Sequence, residues 1–172
     1  KKIKGFVNAP IDKTIFNSKY LGVTEYLASK NKVRNKEVMM IYNKKLSVVP
    51  ITTHIEVSKI TKNIKSNIIE RKINVLNKFY INFLKKKPRI AILGLNPHNS
   101  ENKRNSIENK IIKPTMLKIK KKGINISGPF PADTIFSKDK RRKYDVIVGM
   151  YHDQVLSPMK ALYGFDAINI TL

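Results

Sequence analysis

Short runs of β-branched and other apolar residues, each closed by a turn signal, alternate along this chain with longer stretches whose apolar residues return at helical spacing. Val38 to Tyr42 and Leu46 to Ile51, separated by Asn43, Lys44 and Lys45, predict a hairpin or tight strand pair. From Val57 to Leu84 the residues Ile60, Ile64, Ile68, Ile69, Ile73, Leu76, Phe79, Tyr80 and Phe83 predict one long helix, or two with a break after Ile60. Arg89 to Leu95 is a strand bounded by Pro88 and by Asn96-Pro97. Ile107, Ile111, Met116 and Ile119 mark a helix bent at Pro114 and stopped at Gly123. Ile124 to Ser127 is a short strand, after which Gly128-Pro129 and Pro131 predict a loop; Asp145 to Met150 and Ala167 to Leu172 are further strands. Near the start, Gly5 to Pro10 reads as a strand, Ile11 to Ser18 as a helical turn or two, and Thr24 as the opening of another helix. Such alternation predicts an α/β sheet with parallel members and helices on both faces.

At 172 residues and 41% hydrophobic content the chain can bury one core, and no internal repeat divides it. It begins at Lys1 rather than Met and stops on an apolar strand pattern, so residues 1–172 are expected to be a single α/β unit, incomplete at both ends. The absence of cysteine excludes disulfides, zinc–thiolate sites and thiol catalysis, so a metal would be held by His, Asp or Glu. There is no run of eighteen apolar residues and no secretory h-region at the start, which makes a cytoplasmic protein the expectation. The net charge of +23 is spread in short clusters through the chain, alongside Ile and Asn. That pattern fits codon bias in an adenine- and thymine-rich genome better than a nucleic-acid surface, which would interleave aromatics with the basic residues. Neither specific nucleic acid nor membrane is expected as a partner.

Only three histidines occur, and each lies just past an apolar strand run. His54 follows Val48 to Ile51, His98 follows Ile90 to Leu93, and His152 follows Val146 to Val148. In open α/β sheets ligands bind beyond the carboxyl ends of the strands, so a shared site is the economical reading. Neutral imidazole is the commonest metal ligand, and three of them leave positions open for water or substrate oxygens. Each histidine taken alone reads more readily as a hydrogen-bonded, half-buried side chain, an order that three of three at strand ends reverses, and the long gaps between them match no local metal motif.

The strings APIDK (Ala9 to Lys13), GVTEYLA (Gly22 to Ala28), TTHI (Thr52 to Ile55), GLNPH (Gly94 to His98), GPFPADTIF (Gly128 to Phe136), MYHDQVLSPMK (Met150 to Lys160) and NITL (Asn169 to Leu172) occur in that order. Together they resemble successive motifs of the 4-hydroxythreonine-4-phosphate dehydrogenase family, over nearly the whole chain. The resemblance implies a layered sheet like that of isocitrate and isopropylmalate dehydrogenases, and a homodimer whose active site lies in a cleft shared by two subunits. It implies NAD- or NADP-linked oxidation of 4-phosphooxy-L-threonine, with decarboxylation, on the route to pyridoxal phosphate. By the same resemblance His54, His98 and His152 bind one divalent metal, Zn, Co, Mn or Mg, with His152 reaching across from the partner subunit. Within one chain, His54 and His98 are then expected close together and His152 further off. Thr24, Lys160 and Asn169 carry over as substrate contacts, while Asp153 and Asp133 are candidates for orienting ligands or relaying a proton.

The chain departs from the family at Val23, where a substrate-contacting histidine is usual, and at Val155, where a glycine is usual. There is no G-x-G-x-x-G fingerprint, and the nicotinamide-binding residues are not assigned. Val23 motivates an alternative substrate, a 4-phosphorylated threonate or erythronate. The charge and the apparent truncation motivate a second alternative, a non-catalytic, degenerate basic fragment. The isolated 172 residues are expected to be inactive.

Overall fold

The computed structural model describes residues 7, 11–12, 20, 23–31 and 37–172. The expected Gly5 to Pro10 strand, the Ile11 to Ser18 helix and the APIDK string fall almost wholly outside the described residues. The chain forms two compact units, Lys1–Glu37 and Val38–Leu172. In the first, helix α1 spans Val23–Lys30, starting where Thr24 predicts. Its Tyr26 ring meets the Tyr20 ring edge-on at 5.5 Å, and Asn31 caps the end by donating to the Leu27 carbonyl at 2.8 Å.

The second unit holds, among the described residues, a six-stranded sheet in the order β4-β3-β5-β2-β1-β6. Strands β1 (Met39–Tyr42) and β2 (Ser47–Pro50) form the expected hairpin, with Ile41 opposite Val48. Asn43 makes the turn compact, its side-chain oxygen accepting from the Lys45 N–H at 2.8 Å. β2, β5 (Val146–Gly149), β3 (Ile90–Leu93) and β4 (Ile126–Phe130) run parallel, and β6 (Ile168–Thr171) pairs antiparallel with β1.

Alternation along each strand sends successive side chains to opposite faces. Met40, Val49, Ile90, Ile92, Val146 and Val148 face one core, which α3 (Ser66–Asn82) covers with Ile69, Ile73 and Leu76, and α4 (Lys113–Lys121) with Met116 and Ile119. Val48, Ala91, Leu93 and Ile147 face the other, covered by α7 (His152–Tyr163) through Val155, Leu156 and Met159 and by Ile135 of α5 (Ala132–Ile135). Helices therefore cover both faces, as the alternation predicts.

Several boundaries differ from expectation for local reasons. The break in the long helical stretch falls at Ile64 and Lys65, between α2 (Ile60–Asn63) and α3, because both residues have extended ψ. The irregularity before α4 is a π-helical turn, Glu108–Ile112, and Pro114 lies just after it in the first turn of α4. Strand β4 runs on through Gly128 and Pro129 to Phe130, where a loop is predicted, because Leu93 of β3 pairs with Phe130 across a register shift. Gly123 ends α4 as expected, at φ +83°. The short helix α6 (Lys138–Arg141) precedes β5. Among the described residues no helix is long and apolar enough to cross a membrane.

Candidate functional site

Four parallel strands put four carboxyl ends on one edge of the sheet, and the three histidines and Asp133 all follow from that edge. The order of strands decides which of them meet. β5 lies between β2 and β3, so His152, two residues past Met150, neighbours the segment carrying His54. The ends of β2 and β5 stay zipped beyond the strands: Ile51 N–H donates to the Gly149 carbonyl at 2.8 Å, and Thr52 donates to the Met150 carbonyl through its N–H at 3.1 Å and through its buried hydroxyl at 2.8 Å. His54 and His152 each stand two residues past this Thr52–Met150 pair, and their ring centroids are 5.7 Å apart.

That pairing corrects one expectation. Within one chain His152 is not the histidine set apart from His54; it is the one brought to it. The reason is topological, since β2 and β3 have a whole strand between them, about 4.8 Å for each interval, whereas β2 and β5 are hydrogen-bonded neighbours.

The donor chemistry fits a divalent cation. Two imidazoles sharing one cation, each through a nitrogen at about 2.1 Å, have ring centroids no more than roughly 6.5 Å apart, and the observed separation falls inside that limit. His152 Nδ1 lies 2.8 Å from Asp153 Oδ1. With the Nδ1–H donated to the carboxylate, the tautomer leaves the Nε2 lone pair for a cation. His54 and His98 are exposed and His152 is half-buried, so the edge is open to water and solutes. Among the described residues no group of three His, Cys, Asp or Glu side chains within the single chain is arranged to hold a metal.

His98 is carried by an unusual turn. His98, Asn99, Ser100 and Glu101 follow one another at φ 49°, 54°, 51° and 49°. Each non-glycine residue in this left-handed region costs about 1–2 kcal/mol, and such strain persists only where surrounding contacts fix it. Asn99 supplies one contact, its amide donating to the Pro129 carbonyl at 2.9 Å. Glu108 anchors the residues just before the run: its Oε1 accepts from the Leu95 N–H at 3.0 Å, the Asn96 N–H at 2.8 Å and the Asn96 amide at 3.1 Å. Burial works to raise the Glu108 carboxyl, but the N–H groups of Asn96, Glu108 and Leu95 with the Asn96 amide outweigh it and hold it below the ordinary range.

Gln154 fastens the middle of the edge. Its side-chain oxygen accepts from the Met150 N–H at 2.7 Å and its amide donates to the Gly94 carbonyl at 2.8 Å, so one buried side chain ties the end of β5 to the end of β3. Neither Glu108 nor Gln154 is singled out by sequence reasoning. A signal existed for Glu108: it shares a helical face with Ile112, Thr115 and Ile119, all buried, where an acid has no place unless it has internal partners.

The remaining predicted residues are more scattered. Asp133 is exposed on the first turn of α5, past β4 on the same edge. Asp153 is exposed and touches His152. Lys160 lies eight residues along α7 from His152, about 12 Å away at 1.5 Å per residue, with its ammonium 5.5 Å from the Phe165 ring centroid. Asn169 is exposed on β6, opposite Ile41 of β1. Thr24 belongs to the first unit, on the opening turn of α1.

Comparison with known proteins matches the chain as a whole to others. The chain is 35% identical to the D-threonate 4-phosphate dehydrogenase of Pectobacterium atrosepticum, over 99% of the chain and 53% of the relative. It is 36% identical to the 4-hydroxythreonine-4-phosphate dehydrogenase of Desulforapulum autotrophicum, over 99% of the chain and 52% of the relative. The crystal structure of the 4-hydroxythreonine-4-phosphate dehydrogenase from Klebsiella pneumoniae superposes with a TM-score of 0.80 at 36% identity, covering 95% of this chain and 51% of that one. The chain thus spans about half the length of the curated relatives it matches, and its layered sheet is of the isocitrate dehydrogenase-like type. The model of the family described as pyridoxal phosphate biosynthetic protein PdxA matches residues 1–172, and the chain belongs to that family.

Proposed function

We propose that the full-length protein is a cytoplasmic, metal-dependent dehydrogenase that oxidises the secondary alcohol of 4-phosphooxy-L-threonine with NAD or NADP, with loss of carbon dioxide, in pyridoxal phosphate biosynthesis. The observation that carries this reading is the meeting of His54 and His152 at the carboxyl edge, with Asp153 engaging Nδ1 of the second ring. His98, on the turn past β3, is the third ligand. A homodimer with the site in the cleft between subunits accounts for ligands and substrate contacts that one chain does not gather by itself.

His54, His98 and His152 would hold the divalent cation, which would supply Lewis acidity to an alcohol and offset negative charge developing during its oxidation. The chain's own residues do the rest. Asp153 keeps His152 in the tautomer that presents Nε2. Lys160 offers a mobile positive charge to the substrate's phosphate or carboxylate, and Thr24 and Asn169 orient it with neutral hydrogen bonds. Asp133, exposed beyond β4, takes up a proton from the substrate side of the edge.

A second reading has its own support: Val23 stands where a histidine is usual, and the D-threonate 4-phosphate dehydrogenase of Pectobacterium atrosepticum is 35% identical to the chain, against 36% for the hydroxythreonine enzyme of Desulforapulum autotrophicum. Reduction of NAD and NADP by the full-length protein, stripped of metal and then given Zn²⁺, Co²⁺, Mn²⁺ or Mg²⁺, should be followed with both substrates. Turnover of 4-phosphooxy-L-threonine that needs the cation is the expected result. Preference for D-threonate 4-phosphate selects the second reading, and no reduction with either substrate and every cation refutes both.

A further inference from the structure

We infer that Glu108, at the foot of α4, is a positioning residue that sets the His98 turn and thereby the affinity of the edge for a divalent cation, an inference that rests on His98 being a ligand. Beyond Leu93 the strand has ended, and the last backbone tie to β4 is the Gly94 N–H donated to the Phe130 carbonyl at 3.0 Å. The next two N–H groups, of Leu95 and Asn96, both go to one carboxylate oxygen of Glu108, and the Asn96 amide reaches both oxygens, at 3.1 and 3.3 Å. A carboxylate only 2% exposed is stable there because these donors replace its lost water.

The position of the acid is as informative as its bonds. Glu108 opens the π-helical turn Glu108–Ile112, whose buried Ile112 belongs to the core on the α3 and α4 face. It therefore couples a rigid, packed element to a stretch that has left the sheet, two residues before His98. Its stem also lies against Gly94, where an added Cβ would come 3.2 Å from Glu108 Cγ and 2.0 Å from Asn99 Oδ1, so the acid, Gly94 and Asn99 interlock around the start of the turn. Four consecutive left-handed residues begin at His98. Without the Glu108 anchor the stretch from Leu95 to Pro97 loses its fixed direction, and the turn is free to relax toward ordinary right-handed geometry, displacing the exposed His98 imidazole that it carries. The hydrogen bonds of Glu108 go to Leu95 and Asn96, so it acts on the ring through the backbone that carries it.

The test is calorimetric titration of Zn²⁺ into the metal-stripped full-length protein, as wild type, Glu108→Gln, His98→Ala and the double variant, with thermal unfolding of each metal-free protein alongside. Glutamine keeps the size and one acceptor but loses the charge. The expected result is that E108Q weakens Zn²⁺ binding by about 10-fold or more, the range in which outer-sphere partners of metal ligands act, with little change in metal-free melting. The E108Q penalty should vanish when His98 is already alanine. Affinity within about twofold of wild type, or a penalty undiminished in the H98A background, overturns the inference. Should E108Q not fold, Glu108→Asp, which keeps the charge and shortens the reach, decides by the same two criteria. A wild-type protein that binds no Zn²⁺ sinks the metal site itself and this inference with it, whereas wild-type binding matched by E108Q sinks the inference alone.

Discussion

Replacing Gln154 by leucine isolates what holds the edge of the sheet together. The side chain is 9% exposed and makes two bonds, accepting from the Met150 N–H at 2.7 Å and donating to the Gly94 carbonyl at 2.8 Å. Leucine fills similar volume but offers neither partner, so a buried donor and a buried acceptor are left unsatisfied. Each such orphan costs about 1–3 kcal/mol, and the extra apolar burial of leucine recovers roughly 1 kcal/mol of it. The net expectation is a loss of about 1–5 kcal/mol, which should appear in urea unfolding as a lower midpoint with an unchanged slope. Amide hydrogen exchange makes the attribution local, because the Met150 amide should lose protection while amides within β2 and α3 keep theirs relative to global stability. A loss below about 1 kcal/mol, or a Met150 amide as protected as before, would show that the bond across the β3–β5 edge contributes nothing and that the ends are held by strand pairing alone.

Two further outcomes follow from the packing and the charges. At Gly149 an added Cβ would lie 2.4 Å from Val155 Cγ1 and 3.0 Å from Gln154 Oε1; Gly149→Ala should cost about 1–3 kcal/mol by overpacking, and V155A should relieve part of that cost in the double variant, with simple additivity in urea unfolding counting against the clash. Asp145 is desolvated, which raises its carboxyl, but Arg89 and Lys86 overcome this and bring it from 3.8 to about 2. The drop corresponds to about 2.4 kcal/mol at face value, which the solvent-exposed partners screen to roughly 1 kcal/mol. Because the folded carboxyl is depressed, this stability is present above about pH 4 and is lost as pH falls toward about 2. Asp145→Asn should therefore destabilise at neutral pH and leave stability near pH 2 unchanged, and an equal loss at both would refute the ion-pair account.

Much of the architecture was legible because it follows from period. The hairpin at Asn43, the strands ending near Leu93 and Gly149, and the helical faces through Ile69, Ile73 and Leu76 each repeat a local pattern that fixes an element. The order of strands has no such local sign. Nothing in residues 146–149 announces that they enter between β2 and β3, and that insertion is what sets His152 beside His54 rather than apart from it. The same limit applies to Gln154 and Glu108, whose importance comes from backbone groups of segments remote in sequence, Gly94 and the 95–96 stretch. The loop expected at Gly128 failed for a related reason, since a partner strand outweighs the turn preference of Gly and Pro.

The central place of β5 has a consequence for how the protein is made. When synthesis has passed residue 130 but not yet reached 149, the β1–β2 hairpin and the β3–β4 pair can each exist, but as separate ribbons with nothing between them. Each then presents a bare strand, Ser47 to Pro50 in one and Ile90 to Leu93 in the other, to whatever is nearby, the kind of open border on which nascent chains aggregate. Only the emergence of Val146 to Gly149 lets the halves close around a shared middle strand, so slowing the ribosome just upstream of that point should prolong the chain's dependence on chaperones.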